Sequence, residues 1–225
     1  VPVLALPARG GRFYDWENNG MPEAAARLLH EGKMQLFCAD SIDAESLLAG
    51  HETPRRRAEM QEKYFVYLTA ELAPRIAALN APEAKKPPLI WCAGVDTGAY
   101  QAVQCRLRRP GVFAGAVGLS GLYDMSRFLG GCEDDLVLRS SPLAALRKNG
   151  ICNKNLLAKA EENTLLLCVG QGGYEGDALA DTQALADTLK ETGLPCHLEV
   201  WGGDVSHDWY WWGKEFGIFA ERLFG

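Results

Sequence analysis

The chain has 225 residues, 48% of them apolar, which is enough to bury a large core within one α/β domain spanning 1–225. A net charge of −6 argues against nucleic acid or an anionic membrane as the main partner. No apolar run reaches the roughly 18 residues that a membrane span needs, and no signal-peptide pattern opens the chain.

The seven cysteines (Cys38, Cys92, Cys105, Cys132, Cys152, Cys168 and Cys196) are odd in number and lack short paired spacings. They do not read as a disulfide framework or a zinc site, and a reducing, cytoplasmic setting is expected. The chain opens at Val1 inside an apolar run, so further residues are expected ahead of it.

In chain order, the first predicted strand is Val1–Leu6, followed by the Gly-rich loop Pro7-Ala8-Arg9-Gly10-Gly11. Such a loop lets backbone N–H groups approach a ligand closely. A helix is predicted over Pro22–His30, a strand over Met34–Cys38 and a long helix over Arg55–Leu79. In that helix Tyr64, Tyr67, Leu68, Leu72 and Ile76 form an apolar stripe at helical spacing and are read as core.

The strand Pro88–Cys92 and helix Ala99–Arg108 come next, then the strands Phe113–Leu119 and Thr164–Val169. Helix Ala178–Thr192, strand His197–Trp201 and helix Trp211–Leu223 complete the chain. This alternation predicts a mainly parallel sheet with helices on both faces and no large cap domain. In such sheets the site lies at the carboxyl ends of the strands.

Three of the segments that follow strands carry candidate chemistry. Gly94-Val95-Asp96-Thr97-Gly98 has the layout of a nucleophile elbow, a strand-to-helix turn that raises one side chain above the sheet. Asp96 occupies the tip, where serine is expected, and the Thr97 N–H points into the same space. The competing structural role for Asp96 is a helix cap.

The segment after Val169, Gly170-Gln171-Gly172-Gly173-Tyr174-Glu175-Gly176-Asp177, supplies a carboxylate to partner a histidine. Glu175 is the first choice and Asp177 the second, although Asp177 also suits a helix cap. His207, in the polar loop after the last strand, completes the order nucleophile, acid, histidine as general base. The cluster Trp209, Trp211 and Trp212 is read as packing the last helix.

The chain resembles the α/β-hydrolase superfamily, close to the esterases that include esterase D-like and antigen 85-like proteins. The resemblance rests on Gly11-Arg12-Phe13-Tyr14, the elbow through Gly98-Ala99-Tyr100, Leu119-Ser120-Gly121-Leu122-Tyr123-Asp124, and His207-Asp208-Trp209. It covers nearly the whole chain, with no counterpart for the family's first strands. It implies a Ser-His-acid triad that cleaves esters or thioesters through an acyl-enzyme, on a small-molecule substrate and without a cofactor or metal. It also implies oxyanion donation from the backbone N–H of Arg9, where many relatives carry His-Gly-x-Gly-Gly.

Asp96 breaks that implied mechanism. A carboxylate attacking an ester carbonyl forms a mixed anhydride, an uphill step, so ordinary esterase activity is expected to be low or absent. Removing the nucleophile from a related triad costs on the order of 10⁶ in turnover. The expectation is an esterase-like pseudoenzyme or ligand-binding scaffold in which Asp96 forms an ion pair with His207; association into oligomers is left open.

The alternative is an aspartate nucleophile acting at sp³ carbon, as in dehalogenases or epoxide hydrolases. Against it, Thr97 stands where dehalogenases have tryptophan, and no His-Gly-x-Pro loop is present. The Asp-Thr-Gly-Ala match to aspartic proteases fails because those need two facing aspartates on an all-β fold. The acidic stretch Phe128–Asp135 is read as part of a lid, with its Glu133-Asp134-Asp135 run solvated rather than metal-binding.

Overall fold

The computed structural model describes residues 1–130, 134–148, 165–194 and 196–225. Thr164 and two of the cysteines considered above, Cys132 and Cys152, lie outside the described residues, as does Glu133 of the acidic run. Six strands form one sheet: β1 (Pro2–Leu6), β2 (Gln35–Cys38), β3 (Ile90–Val95), β4 (Phe113–Leu119), β5 (Leu165–Val169) and β6 (His197–Val200). Their order is β2-β1-β3-β4-β5-β6, and every pairing is parallel.

Successive strand residues face opposite sides. Leu4, Leu6, Cys92, Ala116, Leu165 and Leu167 pack under one helical layer, formed largely by the helices Pro54–Val66, Thr97–Arg108 and Gly176–Glu191. Val3, Ala5, Ala93, Val95, Val117 and Cys168 pack on the other face, against Trp16, Met21, Leu28, Trp212, Phe216 and Phe219. Burial on both faces explains why the strands read as apolar runs rather than alternating ones.

The boundaries differ from expectation in instructive places. β3 runs on to Val95, because Gly94 pairs with both Leu6 and Gly118 and Val95 pairs with Leu119. The helix predicted over Pro22–His30 is two short helices, Met21–Ala24 and Ala26–His30, hinged at Ala25 with φ −116°. The Ala24 carbonyl there lies hard against Gly217 of the last helix.

The long helix is α-helical over Pro54–Val66, a π-helix over Tyr67–Leu72, and α-helical again over Ala73–Asn80. Pro74 has no N–H to offer the preceding turn, and the wider π turn absorbs that loss. The extra residue per turn also rotates the apolar stripe. Tyr64, Leu68 and Ile76 are buried as read, but Leu72 is only partly buried and Tyr67 is turned outward, 42% exposed.

Candidate active site

The chain passes from β3 into the helix Thr97–Arg108 through a single residue, Asp96, held at φ 52° and ψ −120°. A non-glycine residue with positive φ carries on the order of 1–3 kcal/mol of strain and persists only where its surroundings enforce it. Here Gly94 and Gly98 do so. A Cβ on Gly94 would collide with the Gly98 carbonyl, and one on Gly98 would collide with the carbonyls of Leu6 and Pro7. The helix therefore presses directly onto the end of β1, while the Asp96 N–H donates to Leu119 O at 3.1 Å.

The Asp96 side chain does not cap its helix, so the capping role is excluded. Its carboxylate turns toward the loop after β1. The main-chain N–H of Arg9 donates to Oδ2 at 3.2 Å, and the Arg9 guanidinium donates to Oδ1, also at 3.2 Å. His207 Nε2 stands 3.9 Å from Oδ1. The residue expected to donate through its backbone, Arg9, thus also donates through its side chain.

Thr97 reaches the same region through its hydroxyl, which donates to Asp43 Oδ2 at 2.8 Å. Its N–H occupies the first position of a helix, where no intrahelical acceptor exists. Asp43 also accepts from the Gly10 N–H at 3.1 Å. It is buried, and burial raises its pKa above the usual carboxylate value, with the Asp96 charge adding to the rise and the bonds from Thr97 and Gly10 opposing it.

Across from Asp96, the loops after β5 and β6 are bonded to each other. Gly172 N–H donates to Val205 O at 2.8 Å, and His207 N–H donates to Gly173 O at 3.0 Å. This pairing sets Glu175 Oε2 3.2 Å from His207 Nδ1. A carboxylate only accepts, so Nδ1 carries the proton and Nε2 faces Asp96.

Glu175 is 1% exposed, and its other oxygen accepts from Ser120 Oγ at 2.6 Å. Ser120 in turn accepts from Trp212 Nε1 at 3.0 Å, and the Trp212 ring meets the His207 ring edge-on with centroids 4.9 Å apart. Asp177, the second choice for the acid, is not brought to His207. Its side chain is largely exposed and pairs with Arg127 at 3.0 Å, and it lies inside the first turn of the helix Gly176–Glu191 rather than at its cap.

Sequence reasoning missed Ser120, Asp43 and the hydrogen-bonding part of Trp212. Ser120 had a usable signal, since it directly follows a predicted strand, as the other site residues do; in the structure it leaves β4 at φ 46°. Trp212 packs the last helix as read, but its indole N–H also reaches the site.

A further acid, Glu215, lies on that helix, fully buried, and neither of its oxygens has a hydrogen-bond partner among the described residues. Burial pushes it up to about 8; the Cys168 thiol beside it partly offsets this, and the charges of Glu175, Glu199 and Asp208 add to it.

Of the acidic stretch read as a lid, Phe128 places its ring 5.3 Å from the Arg9 guanidinium. Asp134 pairs with Arg55 and accepts from the Leu136 N–H. Gly131, Cys132 and Glu133 lie outside the described residues. Among the described residues no group of three His, Cys, Asp or Glu side chains is placed to hold a metal ion.

A family model described as "Putative esterase" matches residues 9–219. No curated protein matches the chain. Among solved structures it is similar to MPT51 of Mycobacterium tuberculosis, at 17% identity and TM-score 0.69, covering 100% of this chain and 88% of that one. It is also similar to a ferulic acid esterase at 15% identity and TM-score 0.68, covering 99% and 84% of the two chains. The S-formylglutathione hydrolase of Staphylococcus aureus matches at 15% identity and TM-score 0.63, covering 100% and 81%. At such identities the likeness is one of fold.

Proposed function

The chain belongs to this esterase family and has the α/β-hydrolase fold, and from that premise we propose that it is a lapsed esterase. In this reading residues 1–225 form one domain that keeps a histidine–acid relay and an oxyanion site but carries no acylating nucleophile. Asp96 is the tip of the nucleophile elbow, His207 the base, Glu175 its orienting acid, and Arg9 and Thr97 the oxyanion donors. The protein is a small-molecule-binding scaffold in which ordinary ester turnover is weak or absent, and no cofactor is invoked.

One observation carries this reading: the Asp96 carboxylate sits on the Arg9 N–H and guanidinium. A transition-state oxyanion needs that N–H free, because stabilisation acts only on charge that develops during reaction. Here a carboxylate oxygen already occupies the donor. An acyl group bound on Asp96 would also be an anhydride, more reactive than the ester it came from.

No helix among the described residues is long and apolar enough to cross a membrane. The five described cysteines are all free, in keeping with the reducing cytoplasm that we propose as the setting. The test is hydrolysis of short p-nitrophenyl esters by the wild type and Asp96→Ser. Activity confined to the variant supports the lapsed esterase, and robust wild-type turnover overturns it.

A second reading keeps Asp96 as a nucleophile toward sp³ carbon. It is favoured by the split of the carboxylate, with Oδ2 on the Arg9 N–H and Oδ1 toward His207. Single turnover of an epoxide or haloalkane in ¹⁸O-water would leave the label in Asp96, readable by peptide mass spectrometry. No label and no turnover removes this reading.

A further inference from the structure

The π turn at Tyr67–Leu72 borders a cavity of about 500 Å³ at the carboxyl end of β2. Phe13, Ile42, Met60, Tyr64, Tyr67 and Leu72 give it an apolar, largely aromatic wall. Its size falls within the range of small-molecule sites, and π turns recur at functional positions. The Tyr64 and Tyr67 rings are near-parallel, with centroids 6.2 Å apart. Phe13 and Tyr67 are 48% and 42% exposed, so much aromatic surface is left uncovered.

Two charged side chains line the cavity, and only one is unpartnered. Asp40 accepts from Arg12 Nε at 2.9 Å and from the Phe13 N–H at 2.8 Å. Lys63 is exposed and makes no ion pair among the described residues. The acids nearest to it along the helix are already engaged: Glu59 pairs with Arg55 and Arg56, and Glu62 pairs with Arg108. The uncompensated charge at this cavity is therefore positive.

We propose that the cavity binds a small aromatic carboxylate, with its ring against Phe13 and Tyr67 and its carboxylate on Lys63. Aromatic walls favour a flat apolar ring in offset or edge-on packing, and an ammonium–carboxylate hydrogen bond is charge-assisted. The site is separate from Asp96 but adjoins it. Phe13 belongs to the loop that carries Arg9, and Ile42 precedes Asp43, which holds Gly10 and Thr97. Binding here does not depend on whether Asp96 supports any hydrolysis.

The test is a titration of the whole chain at pH 7 with 2-naphthoate, followed by ligand fluorescence and calorimetry. Saturable one-to-one binding is expected, weakened at least about tenfold by Tyr67→Ala, since aromatic contacts dominate such sites. Lys63→Gln should weaken 2-naphthoate about five- to tenfold while leaving neutral 2-naphthalenemethanol unchanged. Both residues are exposed, and circular dichroism checks that each variant is folded.

The proposal is overturned by an absence of naphthoate binding to the folded wild type at millimolar concentration. It is equally overturned if both variants bind as the wild type does, or if 2-naphthylmethylammonium binds as well as the carboxylate. None of these outcomes bears on ester hydrolysis, so failure here leaves the reading of Asp96 standing.

Discussion

The two sides of the site are built differently. On one side, Trp212, Ser120 and Glu175 are buried and hydrogen-bonded in a chain, and Glu175 also holds Nδ1 of the partly buried His207. On the other, Asp96 is anchored by Arg9, whose side chain is 41% exposed, and it stands 3.9 Å from His207. Removing one member of a buried, hydrogen-bonded set strands the others, which is costly whatever the set once catalysed. Replacing the tip of the turn strands only groups that water can reach. The fold therefore leans on the hydrogen-bonded set around Glu175 and leans little on the side chain at position 96.

Placing a serine at the tip of the turn is the sharpest way to test that contrast. Asp96→Ser should raise p-nitrophenyl acetate hydrolysis at least about 10²-fold above the wild type, and adding His207→Ala should return it to background. If the serine variant stays inactive although folded, then the relay geometry no longer supports catalysis.

Next in size, Glu175→Ala should destabilise the fold by about 3 kcal/mol in chemical denaturation, because it leaves the buried Ser120 O–H without its acceptor and the His207 Nδ1–H without its carboxylate. Asp96→Gly should cost nothing or gain up to about 1 kcal/mol, because glycine relieves the positive φ. Equal losses at the two positions would erase the difference between the sides.

Glu215 extends the contrast to pH. Its pKa is raised from an ordinary 4.5 to about 8 in the fold, so its contribution to stability is full below about 4.5. That contribution is lost progressively as pH rises toward 8, because the unfolded chain sheds this proton first. Glu215→Gln should therefore gain on the wild type by a few kcal/mol between pH 4.5 and 8 and run parallel to it above. Thermal melts across that range read the difference, and a flat difference would mean that Glu215 is already ionised in the fold. The smallest effect is expected from Trp212→Phe, at about 1 kcal/mol, since it removes one donor from Ser120 and leaves a ring in place.

Much of this was legible in the sequence. Short apolar runs bounded by Gly, Pro or Asp mark strands buried on both faces, and the loops after them carried Arg9, Asp96, Glu175 and His207. The supporting contacts were not legible. Ser120 and Trp212 are 92 positions apart, and Asp43 and Thr97 are 54 apart; no local pattern announces such pairings. Glu215 was hidden for another reason: a charged residue on an amphipathic helix is normally solvated, and only packing shows that this one is not. Tyr67 was misplaced because periodicity assumes an unbroken α-helix, which the turn before Pro74 does not provide.

The backbone at Asp96 bears finally on how such a site can change over generations. From either aspartate codon, serine lies more than one base substitution away, and the intermediate codons include those for glycine and asparagine. These are the residues that tolerate positive φ with least strain. With Gly94 and Gly98 already fitted to the crossing, a lineage can pass between carboxylate and hydroxyl at this tip through forms that still fold. The strained turn keeps that path open in both directions.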